Sequence, residues 1–344
     1  MQNTLKSTIP LALALGASLL LMACGGGGGG GGNESTTPAT SGTAINSANA
    51  QDVGARTYSL SAGLNSQVGS SSSLVGGVAV SAPASGLIDL SLQQLYLALH
   101  AIPAAPRLVA GVTISETVAC THGGSAVVSI NVANSAQLSP GDSLAISASN
   151  CQMDTAKING GFTVIFNSIS GTPSPAGAWN ATLSANYTGF TAVSGADTVS
   201  VSGDMNMQIT QAGAQDMSIS ATGNTLTIGV NSIGSSADAT LSNYSYAGAF
   251  KSGVTTFSAN YALSGNLPKL GSVAYTVKTS TEFRKQAGLT FPSQGVMTVT
   301  AADHSAVTLS VVDGNNVSVG IDKNGDGMND ETVASTWTAL IAHL

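Results

Sequence analysis

From about residue 112 onward, apolar and polar side chains alternate with a period of two. Residues 125–132, 161–166, 181–187, 198–203, 225–230, 273–277, 295–300 and 307–311 each interleave small polar residues with apolar or β-branched ones. That is the pattern of a strand with one buried face. Turn pairs such as Pro140-Gly141, Asp313-Gly314 and Asp326-Gly327 fall between many of them. About fourteen strands with short connections predict an antiparallel meander. No helical pattern of comparable strength interrupts them, which excludes an α/β fold. The absence of a fixed repeat length argues against a propeller or regular solenoid.

One helix is predicted ahead of the strands, over residues 87–101, after a Gly/Ser-rich loop at 63–77. The segment LIDLSLQQLYLALHA contains good helix formers and neither glycine nor proline, with Ser85 placed to cap it and Pro103 to stop it. Its apolar residues lie nearly all round, broken mainly by Asp89, Gln93 and Gln94. A helix of that kind must bury itself against something wide. The expected fold is therefore mainly β, a curved half-barrel-like sheet packed on one apolar helix. An integral outer-membrane barrel lacks support, because aromatic residues, 5% of the chain, are too few for two interfacial girdles.

The amino-terminal segment is of another kind. Lys6 precedes an apolar run over residues 9–23, then Cys24 and eight consecutive glycines. The run is short for a permanent span, which needs about 20 apolar residues, and it has the architecture of a secretory signal. Leu21-Met22-Ala23-Cys24 resembles a bacterial lipobox, which implies cleavage before Cys24 and acylation of its thiol and new amine. The alternative is an ordinary secretory signal with an incidental cysteine. The domain plan is then a signal peptide at 1–23, a lipidated cysteine and flexible linker at 24–50, and one β-rich domain at 51–344. A flexible linker of about 25 residues has an r.m.s. reach of about 25–30 Å, close to the membrane surface. Gly25 carries no aspartate-type retention signal, so the resemblance to sorted lipoproteins implies the outer membrane.

Composition narrows the partners. The formal charge of −7 and a charged fraction of 8% argue against nucleic acid. Arg284-Lys285 is the sole adjacent basic pair and reads as a solvated strand end or loop rather than a binding patch. Apart from Cys24 the chain has Cys120 and Cys151, an even pair in a compartment where disulfides persist. A bridge closing a loop of about 32 residues stabilises by about 3–4 kcal/mol in the chain-entropy model. Two reduced, buried thiols are the other reading.

Among local motifs, Asp322, Asn324, Asp326, Gly327, Met328 and Asp330 resemble the first nine positions of an EF-hand loop. The twelfth position is Val333 rather than a bidentate Glu, and the flanks read as strands. This is either a calcium turn inside a hairpin, with Glu331 as substitute ligand and Met328 supplying its carbonyl, or a plain polar Asp-Gly hairpin. Gly141-Asp142-Ser143-Leu144 has the letters of the GDSL esterase signature. No histidine has an aspartate three residues earlier, those positions being Leu97, Ala119, Ala301 and Leu340, so the tetrapeptide reads as turn chemistry. His100, His122, His304 and His343 show no ligand spacing. Trp337, followed by Leu340 and Ile341, is expected to pack the last strand onto the core.

The lipobox, Cys120 with Gly123-Gly124-Ser125, Cys151 with Asn159-Gly160, and the Asp322–Asp330 turn followed by Trp337 together resemble the β-rich lipoproteins common in proteobacteria. The resemblance implies no established activity. The expected protein is a non-enzymatic envelope lipoprotein, joined to the membrane by its anchor, whose β domain binds or scaffolds, its partner being a hydrophobic ligand such as an acyl chain, or an envelope protein. A surface adhesin-like module is the second reading and an envelope hydrolase the third.

Overall fold

The computed structural model describes residues 42–64, 74–75, 78–79, 112–120, 122–133, 138–152, 157–173, 177–232 and 235–344. Cys24 and the helix expected at 87–101 lie outside them. A helix α1 (Ala50–Gly63) and a two-stranded ribbon, β1 (Leu74–Val75) and β2 (Val78–Ala79), come first. Next come β3 (Val112–Ala119), β4 (Ser125–Val132), β5 (Ser143–Gln152), β6 (Lys157–Gly171), β7 (Trp179–Ser194), β8 (Asp197–Gly213) and β9 (Asp216–Ser232). They are followed by β10 (Ser235–Lys251), β11 (Val254–Leu267), β12 (Gly271–Gln286), β13 (Gln294–Ala301), β14 (Ala306–Val311), β15 (Asn316–Asp322) and β16 (Glu331–Thr336). A short helix α2 (Trp337–Ile341) follows β16. Strands β3 to β16 form one 14-stranded antiparallel sheet in chain order. This is the expected meander, and it is open: β3 and β16 are its edges and do not pair with each other.

The strands are longer than the alternation suggests. In the 17-residue β9, Ile219 and Ala221 are buried before the midpoint, and Leu226, Ile228 and Val230 after it. The buried parity changes along the strand, so a period-two pattern registers only 225–230. Register shifts at Ala148/Cys151, Asn159/Gly161, Tyr187/Phe190, Gly203/Asn206, Ser242/Ser245 and Phe257/Asn260 recur across β5 to β12. Such bulges bend a strand and tighten its twist. Side chains satisfy the backbone groups they free. The Asp204 carboxylate accepts from the Asn224 and Thr225 N–H groups at 3.0 and 3.1 Å, and the Tyr244 hydroxyl donates to the Asp204 carbonyl at 2.6 Å.

The two faces differ in chemistry. One carries the apolar core, running from Leu144 on β5 to Ile321 on β15. The other carries cross-strand hydroxyl pairs: Ser115–Ser129 at 2.9 Å, Ser168–Thr182 at 2.7 Å, Thr227–Thr240 at 3.1 Å and Thr298–Thr308 at 3.2 Å. Hydroxyl pairs of this kind stabilise antiparallel strands and keep a face wet without charge.

Helix α1 lies on the apolar face. Its sequence, AQDVGARTYSLSAG, is barely amphipathic, yet Ala50, Val53, Ala55, Arg56, Thr57, Tyr58, Leu60 and Ser61 are all buried. The buried hydroxyls bond back within the helix, Thr57 Oγ1 to the Val53 carbonyl at 2.7 Å and Ser61 Oγ to the Thr57 carbonyl at 2.9 Å. Tyr58 packs edge-on to Phe283, with ring centroids 5.2 Å apart, and lies 4.6 Å from the Trp337 ring. Phe257 stacks on Phe283 at 5.0 Å, and Phe291 on Trp337 at 5.5 Å. Trp337 is 0% exposed and its indole N–H donates to the Pro292 carbonyl at 3.1 Å. It fastens the end of β16 to the core as expected, but as the first residue of α2. Trp337→Ala should lower the unfolding free energy by about 3–5 kcal/mol, read as a lower midpoint in urea with an unchanged slope.

Candidate functional site

The functional features lie on the two rims of the sheet. The β11–β12, β13–β14 and β15–β16 turns form one rim, and residues 42–49 cross all three. The backbone N–H of Thr43 donates to the Ser272 carbonyl at 3.2 Å, that of Ile45 to Ser305 Oγ at 2.8 Å, and Ser47 Oγ to Glu331 Oε2 at 2.5 Å. Gly42 sits directly on Ala274, where an added Cβ would come within 2.3 Å of the Ala274 nitrogen. The expected linker boundary at residue 50 is therefore too late. Residues 42–49 belong to the fold, because they supply the hydrogen bonds these turns need.

A polar clamp holds α1 at the same rim. Asp52 Oδ1 lies 3.6 Å from Lys269 Nζ and 3.5 Å from His343 Nδ1. Arg56 Nη2 donates to the carbonyls of His343 and Leu344 at 3.2 and 3.0 Å, and Lys269 Nζ donates to the His343 carbonyl at 2.9 Å. Burial lowers the Arg56 pKa, and Asp52 opposes that shift.

The Asp322–Asp330 turn closes β15 to β16, as a hairpin. Asp322, 6% exposed, accepts from the Gly325 N–H on Oδ1 at 2.7 Å and from the Gly327 N–H on Oδ2 at 2.8 Å. Asn324 Oδ1 accepts from the Asp326 N–H at 2.9 Å, Asp326 Oδ1 from the Met328 N–H at 2.8 Å, and Asp330 Oδ2 from the Lys323 N–H at 2.7 Å. Gly327, at φ +85°, makes the sharp bend that a calcium loop needs at its sixth position. The donor types fit a hard cation, but their placement serves the turn. Each of these oxygens accepts from the loop itself, and Val333 stands within β16. Among the described residues no three His, Cys, Asp or Glu side chains gather as a metal site. Glu331, the expected substitute ligand, pairs with Lys323 Nζ at 2.8 Å.

Two cysteines meet as expected. Cys120 and Cys151 form a disulfide with a Cα–Cα distance of 5.3 Å. The backbone prepares it: the His122 N–H donates to the Gln152 carbonyl at 2.9 Å, and the Gln152 N–H to the Gly123 carbonyl at 2.8 Å. Gly124, at φ +71°, lets the chain pass where a Cβ would lie 1.9 Å from the Asn150 carbonyl oxygen. The GDSL letters resolve as turn chemistry. Asp142 is buried and accepts from the N–H groups of Ala133 and Ser139, both at 2.7 Å.

Two features on the opposite rim escape a sequence reading. One is an open cleft of about 480 Å³ lined by Gly288, Leu289, Thr290, Phe291, Gly314, Asn315 and residues 336–338. Leu289 and Val312 stand 39% and 63% exposed on these loops. The other is Lys285. The pair Arg284-Lys285 does stand at the end of β12, with Arg284 exposed as expected and the Lys285 side chain on the core side at 8% exposure. The strand alternation that turns Phe283 inward also turns Lys285 inward. No family model, curated protein or solved structure matches the chain.

Two outcomes follow from this geometry. Reducing the disulfide should speed amide exchange in β3–β5 while leaving β11–β15 protected, because the bridge ties only the former; hydrogen exchange with mass spectrometry reads this directly. The acid limb is set by the turn. Hydrogen bonds from Lys323 and Ser47 hold the Glu331 carboxyl below the usual carboxylate range. For Asp322 burial pushes upward, but the Gly327, Gly325, Asn324 and Asp326 N–H groups outweigh it and the net shift is downward. A depressed folded pKa gives stability that is present above the unfolded value and lost as pH falls through the folded one. The thermal midpoint should therefore drop below about pH 4, and Glu331→Gln should show a shallower drop.

Proposed function

We propose that the chain is an envelope lipoprotein, held at the outer membrane by acylated Cys24, whose β domain binds or scaffolds rather than catalyses. The observation that carries this reading is the strap at residues 42–49. The segment after the lipobox resemblance enters the fold by crossing one rim of the sheet, so only residues 25–41 separate Cys24 from the folded domain. A flexible chain of that length has an r.m.s. reach of about 20–25 Å. An acylated Cys24 would therefore hold the strapped rim near the membrane and leave the cleft rim facing away.

The core on the apolar face favours binding at a rim over a ligand taken into the sheet. Phe257, Phe283 and Trp337 fill the space under α1 with 0–1% exposure. Such a core also suits the adhesin-like module, in which the hydroxyl face would be the contact surface. The hydrolase reading gains nothing from Asp142, whose carboxylate is engaged in holding a turn.

Calcium enters this reading as a weak ligand of the Asp322–Asp330 turn. Binding requires Asp322, Asp326 and Asp330 to exchange backbone N–H partners for the ion, which keeps affinity in the range of about 10⁻⁴–10⁻³ M. The expected result is a rise in melting temperature at 10 mM calcium, about tenfold above that range, abolished in Asp326→Ala. Calcium-independent melting leaves the plain hairpin.

The anchor has its own test. Cys24→Ser should abolish labelling by radioactive palmitate and release the protein from the membrane fraction or leave its precursor uncleaved. Unchanged labelling and fractionation would refute the anchor.

A further inference from the structure

The sheet ends in two edges that do not pair with each other, and neither carries the usual guards of a free edge. Lysine, proline and bulges are the common ones. Strands β3 and β16 contain neither lysine nor proline, and their ladders to β4 and β15 run without a register shift. The one charged residue on each is a glutamate, Glu116 and Glu331. Both edges are held stiff, β3 by the Cys120–Cys151 bridge and β16 by the buried Trp337 that follows it.

The direction of the free backbone groups follows from the last bond of each ladder. The Cys120 N–H donates to the Gly124 carbonyl at 3.2 Å, towards β4. Backbone groups alternate in direction along an antiparallel strand, so those of Thr113, Ser115, Thr117 and Ala119 point out from the sheet. At the other edge the Trp337 N–H donates to the Asn315 carbonyl at 2.9 Å, towards β15, which leaves Thr332, Ala334 and Thr336 pointing out. At both edges these residues belong to the hydroxyl face, since Ser115 pairs there with Ser129 and Val333 turns to the core. Pairing the two edges therefore sets hydroxyl face beside hydroxyl face and apolar face beside apolar face.

One antiparallel register also matches the side chains. With Thr117 opposite Ala334, Ser115 meets Thr336, Val118 meets Val333, and the Ser335 hydroxyl stands opposite the Glu116 carboxylate. Sliding by two residues sets Val333 against Glu116, and by four sets Glu331 against Glu116, a destabilising like-charge pair. Sliding the other way takes half of β16 past the end of β3. Strand direction selects the partner. As alternate members of the meander, β3 runs towards the rim crossed by residues 42–49 and β16 runs away from it. Joining β16 of one copy to β3 of another is thus antiparallel and keeps both strapped rims on one side, as a shared membrane requires. Antiparallel pairing of like edges turns one strapped rim to the opposite side. We propose that copies of this chain join head to tail, β16 of one pairing with β3 of the next in the Thr117–Ala334 register, so that the meander continues from copy to copy. The preference for head-to-tail over like-edge pairing rests on the anchored reading of the protein. A contact of this kind repeats along a filament unless its rotation closes a ring. Six paired residues make a small interface, so assembly depends on the local concentration that an anchor supplies.

The test uses the full chain in isolated outer membranes. Thr117→Cys and Ala334→Cys put thiols on Cα atoms about 5.5 Å apart across the junction, inside the disulfide range of about 4.4–6.8 Å. Oxidation of the double variant with copper phenanthroline should give a ladder of dimer, trimer and higher bands on non-reducing gels, with Cys120–Cys151 intact by peptide mapping. Membranes holding either single variant should stay monomeric, and membranes holding both single variants together should stop at the dimer. Two further changes, each made in the double variant, should weaken the ladder at least fivefold without lowering the melting temperature. Thr332→Pro removes an outward N–H and leaves the β15 ladder whole, and Ser335→Glu sets a second carboxylate opposite Glu116. Dimers of a single variant mark like-edge pairing and overturn the proposal. So does a bridge between positions 117 and 334 within one chain, or a double variant that stays monomeric. Palmitate on Cys24 is read in the same preparation: a labelled chain without the ladder fails the assembly alone, and an unlabelled chain with the ladder fails the anchor alone.

Discussion

A long open sheet with one apolar face cannot stand without cover for that face, and this constraint orders the described structure. Over β11–β15 the cover is α1, and its fit depends on Tyr58. That ring sits within 4.6–6.1 Å of the Phe257, Phe283 and Trp337 centroids, which come from two strands and the final helix. Aromatic pairs in such arrangements add about 0.5–1.5 kcal/mol each beyond the area they bury. The Tyr58 hydroxyl is fully buried and its pKa is raised by desolvation. Tyr261, also fully buried, reaches the helix from below, its hydroxyl donating to the Thr57 carbonyl at 3.1 Å. The strap at 42–49 and the Asp52–Arg56–Lys269–His343 clamp then fix where α1 begins. The rim geometry follows from the helix, and the helix from the need to bury the face.

The sequence made the sheet legible because a half-buried strand has a period that survives in any composition. Strand β4 coincides with the alternating segment 125–132, and β13 differs from 295–300 by only one residue at each end. What the alternation cannot carry across is a bulge, after which inward residues change parity, so β9 appears at about a third of its length and β10 not at all. The disulfide was legible for a different reason, an even pair of cysteines behind a segment with the pattern of a secretory signal. Helix α1 was not. Gly54, Thr57, Ser59 and Ser61 give it weak intrinsic propensity, and the aromatic and polar contacts that fix it on the sheet reach residues more than 190 positions away. Tertiary packing overrides propensity here, and no local window records that.

The chemistry of the rims was half legible for the same reason. The Asp322–Asp330 spacing announces a tight turn rich in oxygen, and the structure has such a turn. Whether those oxygens face inward to an ion or accept from their own backbone is a matter of direction, which spacing does not encode. Lys285 shows the opposite error. Beside Arg284 it reads as one of two solvated charges, but neighbouring residues on a strand point to opposite faces. Only one of the two could lie on the exposed face once Phe283 was committed to the core.

At the far edge of the sheet the balance of forces is different. Thr113, Ser115, Glu116, Thr117, Val118 and Ala119 of β3 are all exposed, and on β4 only Val132 is buried. Hydrophobic burial holds these strands weakly, while an exposed edge presents unpaired backbone groups that favour adventitious pairing. The Cys120–Cys151 bond addresses this where burial cannot. It ties the end of β3 to the end of β5, reaching over β4, so the edge cannot peel away without carrying two strands with it. The opposite edge needs no such bond, because β16 runs directly into Trp337 at the centre of the aromatic cluster. One edge is held covalently and the other by packing, and the core thins from the second towards the first.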